Sequence, residues 1–561
     1  MKTEKINVEG EANIAICIDT INKDKQALVF CASKRVAESQ AEKIAKKYSK
    51  IKDFQSTNQN STYSKQDKTN QEELSEKILN VLSSPTKQCK RLSQCIKQGI
   101  AFHHAGLHSK QRELIEDSFR DGKIKVICST PTLAAGLDLP AFRAIVKDNK
   151  RFGSRGMTPI PVLEYEQMSG RAGRPGKEDY GESILIATKE EDIENLTEKY
   201  INGEVENIYS KLAVEPVLRT YILSLVASGF ANSDKQIKQF FEKTFYAKQF
   251  GDIKKIHSII DRVTDKLIDW KMLETENSNA DKINKEDNIK ASSMFMNADE
   301  YVTIQNKNQK LKATNLGSRV SQIYLDPLSA NIIIEGLIEF AKTKQELNEE
   351  TQGFIINHLF ISTLEMRPLV RTKAKEYDEY LIKKEIDDLI ITEEKFYNNS
   401  TDEFINTIKT TSCIMDWCNE LNEEKILEKY DVRPGELSAK IKRMEWLYYG
   451  AEELARIKEL QPIIKIIKHN KERVINGVKS ELIKLLRFKG IGRVRARKLY
   501  QNNIKNVTDI KSNSFQTIAQ LMGTTIAKNL KEQVGETVDI KNINPVRATK
   551  KHPQTTLSKF S

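Results

Sequence analysis

KVICSTPTLAAGLDLPA, residues 125–141, is the stretch on which the reading of this chain turns. Its first six residues form a short apolar run with β-branched members, suited to a strand buried on both faces. Pro131, a pair of alanines, Gly136 and Asp138 follow, a small-residue segment that reads as a loop. A buried strand ending abruptly in such a loop is half of a βα unit. In parallel sheets built from these units, the loops at the carboxyl ends of the strands carry ligands.

The same grammar extends outward. QALVFCAS at 26–33 is a strand, and RVAESQAEKIAKKY after it has helical spacing. GIAFHHAGL at 99–107 is another strand, with a helix expected over 109–120; AIV at 144–146 and ESILIAT at 182–188 complete the set. Residues 52–76 are polar and poor in apolar anchors, which predicts a surface loop or insertion, and a helix is expected around 77–98. Alternation of this kind predicts a parallel sheet with helices on both faces.

A chain of 561 residues exceeds what one core accommodates, so roughly three to five domains are expected. Lys+Arg 90 against Asp+Glu 78 leaves a net charge of +12, which favours an anionic partner. The seven cysteines, at 17, 31, 89, 95, 128, 413 and 418, form no CxxC pair and have no histidines at zinc spacing. They read as reduced, buried thiols, not as a disulfide framework or metal site. No apolar run approaches the roughly 20 residues of a membrane helix, and no signal-peptide core is present, so a cytoplasmic, nucleoid-associated location is expected.

HHAGL, STPTLAAGLDLP and QMSGRAGRPG all fall at strand ends. The last holds Arg171 and Arg174, three apart and surrounded by glycines that leave the guanidinium forks uncrowded. Such forks meet negative charge developing on a transferring phosphoryl group; a solvated basic turn is the plain alternative. In order and character the three loops resemble motifs IV, V and VI of the second RecA-like domain of superfamily 2 helicases. AFHHAGL, TPTLAAG and QMSGRAGRPG follow nearly letter for letter the archaeal branch of repair helicases related to the helicase domain of polymerase theta, with Ser169 where alanine is more usual. The resemblance implies that Arg171 and Arg174 act as finger residues on ATP held with Mg2+ by a neighbouring domain. It also implies that Gln167 senses the γ-phosphate and that Gly136 and Asp138 couple nucleotide to nucleic acid. His103 and His104 are read as satisfied loop histidines in preference to active residues.

The sequence contains no GxxxxGK[ST] and no DExH or DEAD tetrad. Those elements cradle phosphates and hold magnesium. The expectation is therefore a truncated gene product or one half of a split enzyme, inactive towards ATP until a separate polypeptide with motifs I and II is supplied.

Residues 147–166 carry basic residues, Phe152, Gly153 and Gly156 before TPIPVLEY. They are expected to form a hairpin, the duplex-splitting element of the resembled helicases, with Phe152 as a stacking wedge. Pro159 and Pro161 confine its second arm to an edge. The resemblance makes 1–205 the RecA-like domain and 206–325 a winged-helix domain that mainly packs against the motor, with a polar insertion at its wing over 275–310. A helical ratchet domain spans 326–470, a helix-hairpin-helix domain 471–540 and a disordered basic tail 541–561.

Within the ratchet domain, Leu437, Ile441, Met444, Tyr448, Ala451 and Ala455 recur at helical spacing and form a buried stripe. Trp446 lies off that stripe with Lys442, Arg443, Tyr449 and Gly450, an aromatic plate among cations that suits a single strand; packing against another domain is the alternative. Trp446 matches the family's base-stacking tryptophan. The family's arginine one heptad earlier is Ala439 here, leaving Lys440 or Lys442 to replace it.

LLRFKGIGRVRARKLY at 485–500 reads as a helix-hairpin-helix. Gly490 and Gly492 allow close approach to a phosphate, and Arg487, Lys489, Arg493, Arg495, Arg497 and Lys498 supply charge. In the tail, Gln554, Leu557 and Phe560 have the spacing of a sliding-clamp peptide. The resemblance implies that the whole is part of a 3′-to-5′ helicase for single-stranded and forked DNA. A non-catalytic DNA-binding remnant and an RNA helicase are the alternatives.

Overall fold

The computed structural model describes residues 6, 10–57, 65–82, 84–134, 139–153, 156–174, 176, 178–212, 214–251, 253–275, 310–383, 389–396 and 400–536. They divide into two units, Met1–Lys211 with Asn422–Lys440, and Leu212–Leu421 with Ile441–Ser561.

The first unit is an α/β layer structure. Its strands are β1 (Ala27–Phe30), β2 (Ile100–His103), β3 (Val126–Ser129), β4 (Arg143–Val146), β5 (Lys150–Gly153), β6 (Gly156–Pro159) and β7 (Glu182–Leu185). Five of them form a parallel sheet in the order β2-β3-β1-β4-β7, and β5 and β6 form a separate antiparallel pair. The first four strands are buried along their whole length, which is why they appear in sequence as unbroken apolar runs. Cys17, Cys31, Cys95 and Cys128 pack within this core, and all seven cysteines are buried. Arg143 on β4 is buried too; it reaches Asp19 at 2.6 Å and the Thr20 hydroxyl at 2.9 Å, tying the sheet to the helix Ala12–Asn22.

The connection from β1 to β2 differs from expectation. Helices Lys34–Thr57, Lys65–Leu79 and Lys87–Ile96 occupy it, so most of 65–76 is helix where a polar loop was expected. Gln71, Leu74, Ser75 and Ile78 make a narrow buried stripe at three- and four-residue spacing, and that suffices to dock an otherwise polar helix. The single helix expected over 77–98 is two helices. Pro85 disfavours helical geometry in the residue before it, and Thr86 restarts the chain as an N-cap, its side chain accepting from the Cys89 N–H. The helix Ser109–Arg120 matches its expected span.

The second unit is mostly helical. Helices Glu215–Ala227, Asp234–Glu242, Phe245–Phe250 and Ile253–Asp269 precede an antiparallel pair, β8 (Leu273–Thr275) and β9 (Leu311–Ala313), and a further helix, Asn315–Gln322. The insertion expected over 275–310 falls between these strands, largely outside the described residues. Helices Pro327–Thr343, Glu349–Ile361, Thr401–Cys418 and Gln461–Asn476 follow. The helix Pro434–Ile457 contributes to both units, Lys440 being the last residue of the first. Its expected stripe is buried at Leu437, Met444, Tyr448, Ala451 and Ala455, with Ile441 half-buried. A last set of short helices, among them Ile483–Leu486, Arg493–Gln501 and Thr524–Gln533, closes over its own apolar core of residues 478–534.

Candidate functional site

In the first unit the motif VI arginines are placed by the turn that follows helix Val162–Ser169. Glu206 caps that helix, its carboxylate accepting the N–H groups of Val162 at 2.7 Å and Leu163 at 3.1 Å. Beyond Ser169 the backbone is stitched to the entry of β4: Ala141 N–H donates to the Arg171 carbonyl at 2.9 Å, and Gly173 N–H to the Ala141 carbonyl at 2.7 Å. Two backbones cross here. A Cβ on Gly181 would lie 2.1 Å from the Gly173 nitrogen, and Gly173 itself has φ +89°, so both positions require glycine.

This turn aims both arginines at the motif V loop. Arg171 donates from Nε at 3.1 Å and from Nη2 to the Ala134 carbonyl, and Arg174 donates from Nε to the Pro140 carbonyl at 3.0 Å. The Arg174 guanidinium also lies 5.6 Å from the centre of the Phe119 ring, and burial lowers its pKa from the ordinary arginine range. Gly136 and Asp138 fall between the two acceptors but lie outside the described residues. Gln167 is exposed. Among the described residues no group of three or more His, Cys, Asp or Glu side chains is arranged to hold a metal ion.

His103, the last residue of β2, and His104 after it are both satisfied within the fold. His103 Nε2 lies 2.8 Å from Glu116, and His104 Nε2 lies 3.1 Å from Glu38 while its Nδ1 accepts the Gly106 N–H at 3.1 Å. These partners define a neutral His104 with its proton on Nε2, in line with burial pushing its pKa down. Burial would raise the Glu38 carboxyl, but bonds from His104 and Gln88 and the charge of Arg91 outweigh it and hold it at about 2.

The hairpin expected over 147–166 is present. β5 and β6 pair Lys150 with Pro159, Phe152 with Met157 and Gly153 with Gly156, and Gly156 takes φ +98°. An ion pair of 2.6 Å between Arg151 and Glu164 ties the hairpin to the helix after it. The Phe152 side chain lies outside the described residues.

In the second unit Trp446 is half-buried, and its Nε1–H donates to the Ile323 carbonyl at 3.0 Å. Lys442 and Tyr449 beside it are exposed, and Tyr449 shares its hydroxyl with Arg319 at 3.0 Å. Two neighbours differ from expectation. Gly450 is buried, where a Cβ would meet Ile323 and Leu325 at 3.4 and 3.7 Å, and Arg443 turns inward to the Arg367 carbonyl. The helix is packed along more than one side, so its exposed face is narrower than the apolar stripe implies. Lys440 is buried, which leaves Lys442 as the exposed lysine nearest Ala439.

In the turn between helices Ile483–Leu486 and Arg493–Gln501, Gly490 has φ +87° and Gly492 is the N-cap of the second helix; a Cβ on either would meet open space. Gln533 holds the turn, accepting the Lys489 N–H at 2.7 Å and donating to its carbonyl at 3.1 Å. Of the six expected cations, Arg487, Lys489, Arg495 and Lys498 are exposed. The other two are drawn into the protein. Arg493 lies over the Trp417 ring at 4.1 Å, and Arg497 pairs with Glu420 and, at 2.8 Å, with Glu481.

Three family models match the chain: the helicase conserved C-terminal domain over residues 65–176, a helix-turn-helix domain over 181–274, and domain 4 of archaeal helicases over 354–477. The chain is 38% identical over 532 residues to the ATP-dependent DNA helicase Hel308 of Methanococcus vannielii, covering 93% of this chain and 67% of that protein. It is 35% identical over 550 residues to Hel308 of Methanocella arvoryzae and 32% over 546 to that of Pyrococcus horikoshii, in each case 96% of this chain and 67% of the relative.

The chain belongs to the Hel308 family.

Several residues that shape the site in this Hel308 member carry no local signal. Trp417, Glu420 and Glu481 receive the two inward-turned arginines and Gln533 holds the turn, yet all four lie outside the motif stretch 485–500. Ile323 is equally silent in sequence, although its carbonyl orients Trp446. Gln554, Leu557 and Phe560 lie outside the described residues. No described helix is long and apolar enough to cross a membrane.

Proposed function

We propose that this chain is the second motor domain and DNA grip of an ATP-dependent 3′-to-5′ DNA helicase. It would open forked or branched DNA in replication-coupled repair, working with a region that carries motifs I and II. The observation that carries this reading is the placement of Arg171 and Arg174 on the two flanks of the motif V loop, at the carboxyl edge of a parallel sheet. That edge is where such sheets present ligands.

The donor set fits the phosphates of a nucleotide: two guanidinium forks and the exposed amide of Gln167. It does not fit magnesium, for which the described residues gather no set of three or more ligating side chains. Bound ATP would supply the free energy of phosphoryl transfer. In the resting chain both guanidiniums rest on neutral carbonyls. A phosphate oxygen is the stronger acceptor, since it sets a negative charge against the guanidinium and allows a bidentate pair, so each fork can exchange its carbonyl for a phosphate. Gly136 and Asp138, in the loop that the arginines grip, would pass that change towards nucleic acid.

On the DNA side, Trp446 holds one base per step, with Lys442 beside it for the backbone. The hairpin β5–β6 parts the duplex, Phe152 acting as its wedge. Gly490, Gly492, Arg495 and Lys498 bind phosphates behind the fork without reading sequence. The antiparallel pair β8–β9 with the preceding helices supports a winged-helix reading of 206–325, and the helix-hairpin-helix favours DNA over RNA as substrate. Spacing alone supports a sliding-clamp peptide at Gln554, Leu557 and Phe560; clamp affinity that survives deletion of 553–561 excludes it.

The test is strand separation on a forked duplex by this chain mixed with a motif I/II polypeptide and ATP. Separation that requires both supports the reading. A mixture that turns over ATP on DNA yet separates nothing contradicts it. The competing reading, a DNA-binding remnant, is favoured by the arginines resting on the chain's own carbonyls, and it predicts DNA binding with no turnover in any mixture.

A further inference from the structure

Lys442, Trp446, Tyr449 and Glu453 recur at four-, three- and four-residue spacing along the helix Pro434–Ile457, so they share one face of it. Tyr449 is 42% exposed, and its hydroxyl accepts from Arg319 Nη2 at 3.0 Å. Arg319 is held in turn by Glu453, which accepts from Nη2 at 2.7 Å and from Nε at 3.1 Å. An aromatic that served only the core would face inward. Tyr448, one position earlier, does so: it is fully buried, with its hydroxyl 2.8 Å from Asn357. Tyr449 is instead fixed at its tip while part of it stays outside, the arrangement that the Ile323 carbonyl imposes on Trp446.

The charges around this ring are uneven. Lys468 is neutralised by Glu452 at 3.3 Å, Arg319 by Glu453, and Arg456 by Glu452 and Glu453. Lys471 is different. It stands on the helix Gln461–Asn476 with its Nζ 5.9 Å from the centre of the Tyr449 ring, and among the described residues it pairs with no carboxylate. A cation–π contact reaches its limit at about 6 Å, so the ammonium is weakly held. An unpaired ammonium beside a tethered, partly open aromatic ring suits a nucleotide, the ring for the base and the cation for the phosphate. Residues three apart on a helix have Cβ atoms about 5–6 Å apart, more than the roughly 3.4 Å rise of a stacked strand. Trp446 and Tyr449 therefore match the bases of an unstacked single strand.

We propose that Tyr449 and Lys471 form a second single-strand site: the ring stacks on the base next to the one on Trp446, and the ammonium binds a phosphate of the same strand. The proposal rests on the reading of Trp446 as a single-strand contact. Two plates one turn apart keep the strand held at one of them while the base on the other is exchanged.

The experiment is fluorescence anisotropy of the full chain with labelled oligothymidylate and with an abasic strand of the same length. Tyr449→Ala is expected to weaken binding to oligothymidylate by about fivefold or more, the low end of the loss of one base–aromatic stack, and to bind the abasic strand as the wild type does. Tyr449→Phe keeps the ring and drops the bond to Arg319, so it stays within about twofold of wild type on both strands, as a stacking role requires. Lys471→Gln lowers the slope of log affinity against log salt by about 0.7, the share of one phosphate on a single strand. Equal losses on the two strands, or Tyr449→Phe as weak as Tyr449→Ala, overturn the site and leave Tyr449 a tether for Arg319. An unchanged slope in Lys471→Gln overturns it as well, and decides the matter should Tyr449→Ala fail to fold. Unchanged affinity in Tyr449→Ala beside a weakened Trp446→Ala overturns this proposal alone. Unchanged affinity in Trp446→Ala overturns the reading of Trp446, and this proposal with it.

Discussion

The indole N–H of Trp446 donates to the backbone carbonyl of Ile323 at 3.0 Å, while the ring itself stays half-buried on the flank of its helix. One edge of the ring is tethered, and Lys442, four residues earlier on the helix, is exposed. A tethered plate loses little entropy when a base stacks on it, which suits the grip proposed for Trp446.

Removal of that plate separates gripping from packing. Trp446→Ala is expected to weaken single-strand binding by about 1–3 kcal/mol, the cost of one base–aromatic stack, and to lower stability by about 1 kcal/mol for the lost hydrogen bond. Trp446→Phe keeps a stacking face and loses only the bond, so its affinity stays close to wild type while its melting temperature falls. Fluorescence anisotropy and thermal melts measure the two effects. Unchanged affinity in Trp446→Ala, with a lowered melting temperature, makes the residue a packing element.

The hairpin cations divide by role. Arg497 pairs with Glu420 and Glu481 at a half-buried site, so Arg497→Ala is expected to destabilise the second unit by about 1–2 kcal/mol, less than a fully buried pair costs. Its salt dependence of DNA binding stays unchanged. Arg495 is exposed; Arg495→Ala leaves the melting temperature alone and reduces the slope of log affinity against log salt by about 1. A binding titration over a salt series distinguishes the two, and a reversed pattern contradicts the assignment.

Acid stability carries a defined signature from His358. The ring is buried, with Nε2 2.9 Å from the Thr407 hydroxyl, and burial pushes its pKa down to about 3. In the unfolded chain it protonates near the ordinary value of about 6.5. Between these values the unfolded state binds the extra proton, so stability is present at neutral pH and is lost as pH falls below about 6.5, at up to about 1.4 kcal/mol per pH unit. Denaturant melts of His358→Phe over that window are expected to show a shallower acid slope than wild type. Parallel slopes exclude the assignment.

Sequence carried the α/β half of this molecule well, for a physical reason. Strands buried on both faces appear as unbroken apolar runs, and β1, β2 and β3 lie within the runs that announced them. The hairpin was legible through Gly156 and its flanking extended arms. What escaped depends on partners distant in sequence. A narrow stripe of Leu74 and Ile78 docks a polar helix only because a core waits for it. Gly450 is buried because Ile323 and Leu325 lie over it, and Arg493 and Arg497 turn inward because Trp417 and Glu420 receive them. Charge density along 487–498 reads as surface when no acceptor is visible in the local sequence. The inward-turned arginines of motif VI belong to the same class, since their carbonyl acceptors lie more than thirty residues upstream.

The central claim is that Arg171 and Arg174 act on phosphates held by a region that carries motifs I and II, and DNA-stimulated ATP turnover tests it most directly. This chain alone is predicted to show none, and addition of a polypeptide carrying GxxxxGK[ST] and DExH to restore it. Arg171→Ala or Arg174→Ala in that mixture should lower turnover by roughly 10³-fold or more, with single-strand affinity unchanged, as expected for finger residues. Robust turnover by the chain alone, or full turnover in a mixture lacking both arginines, would contradict the account.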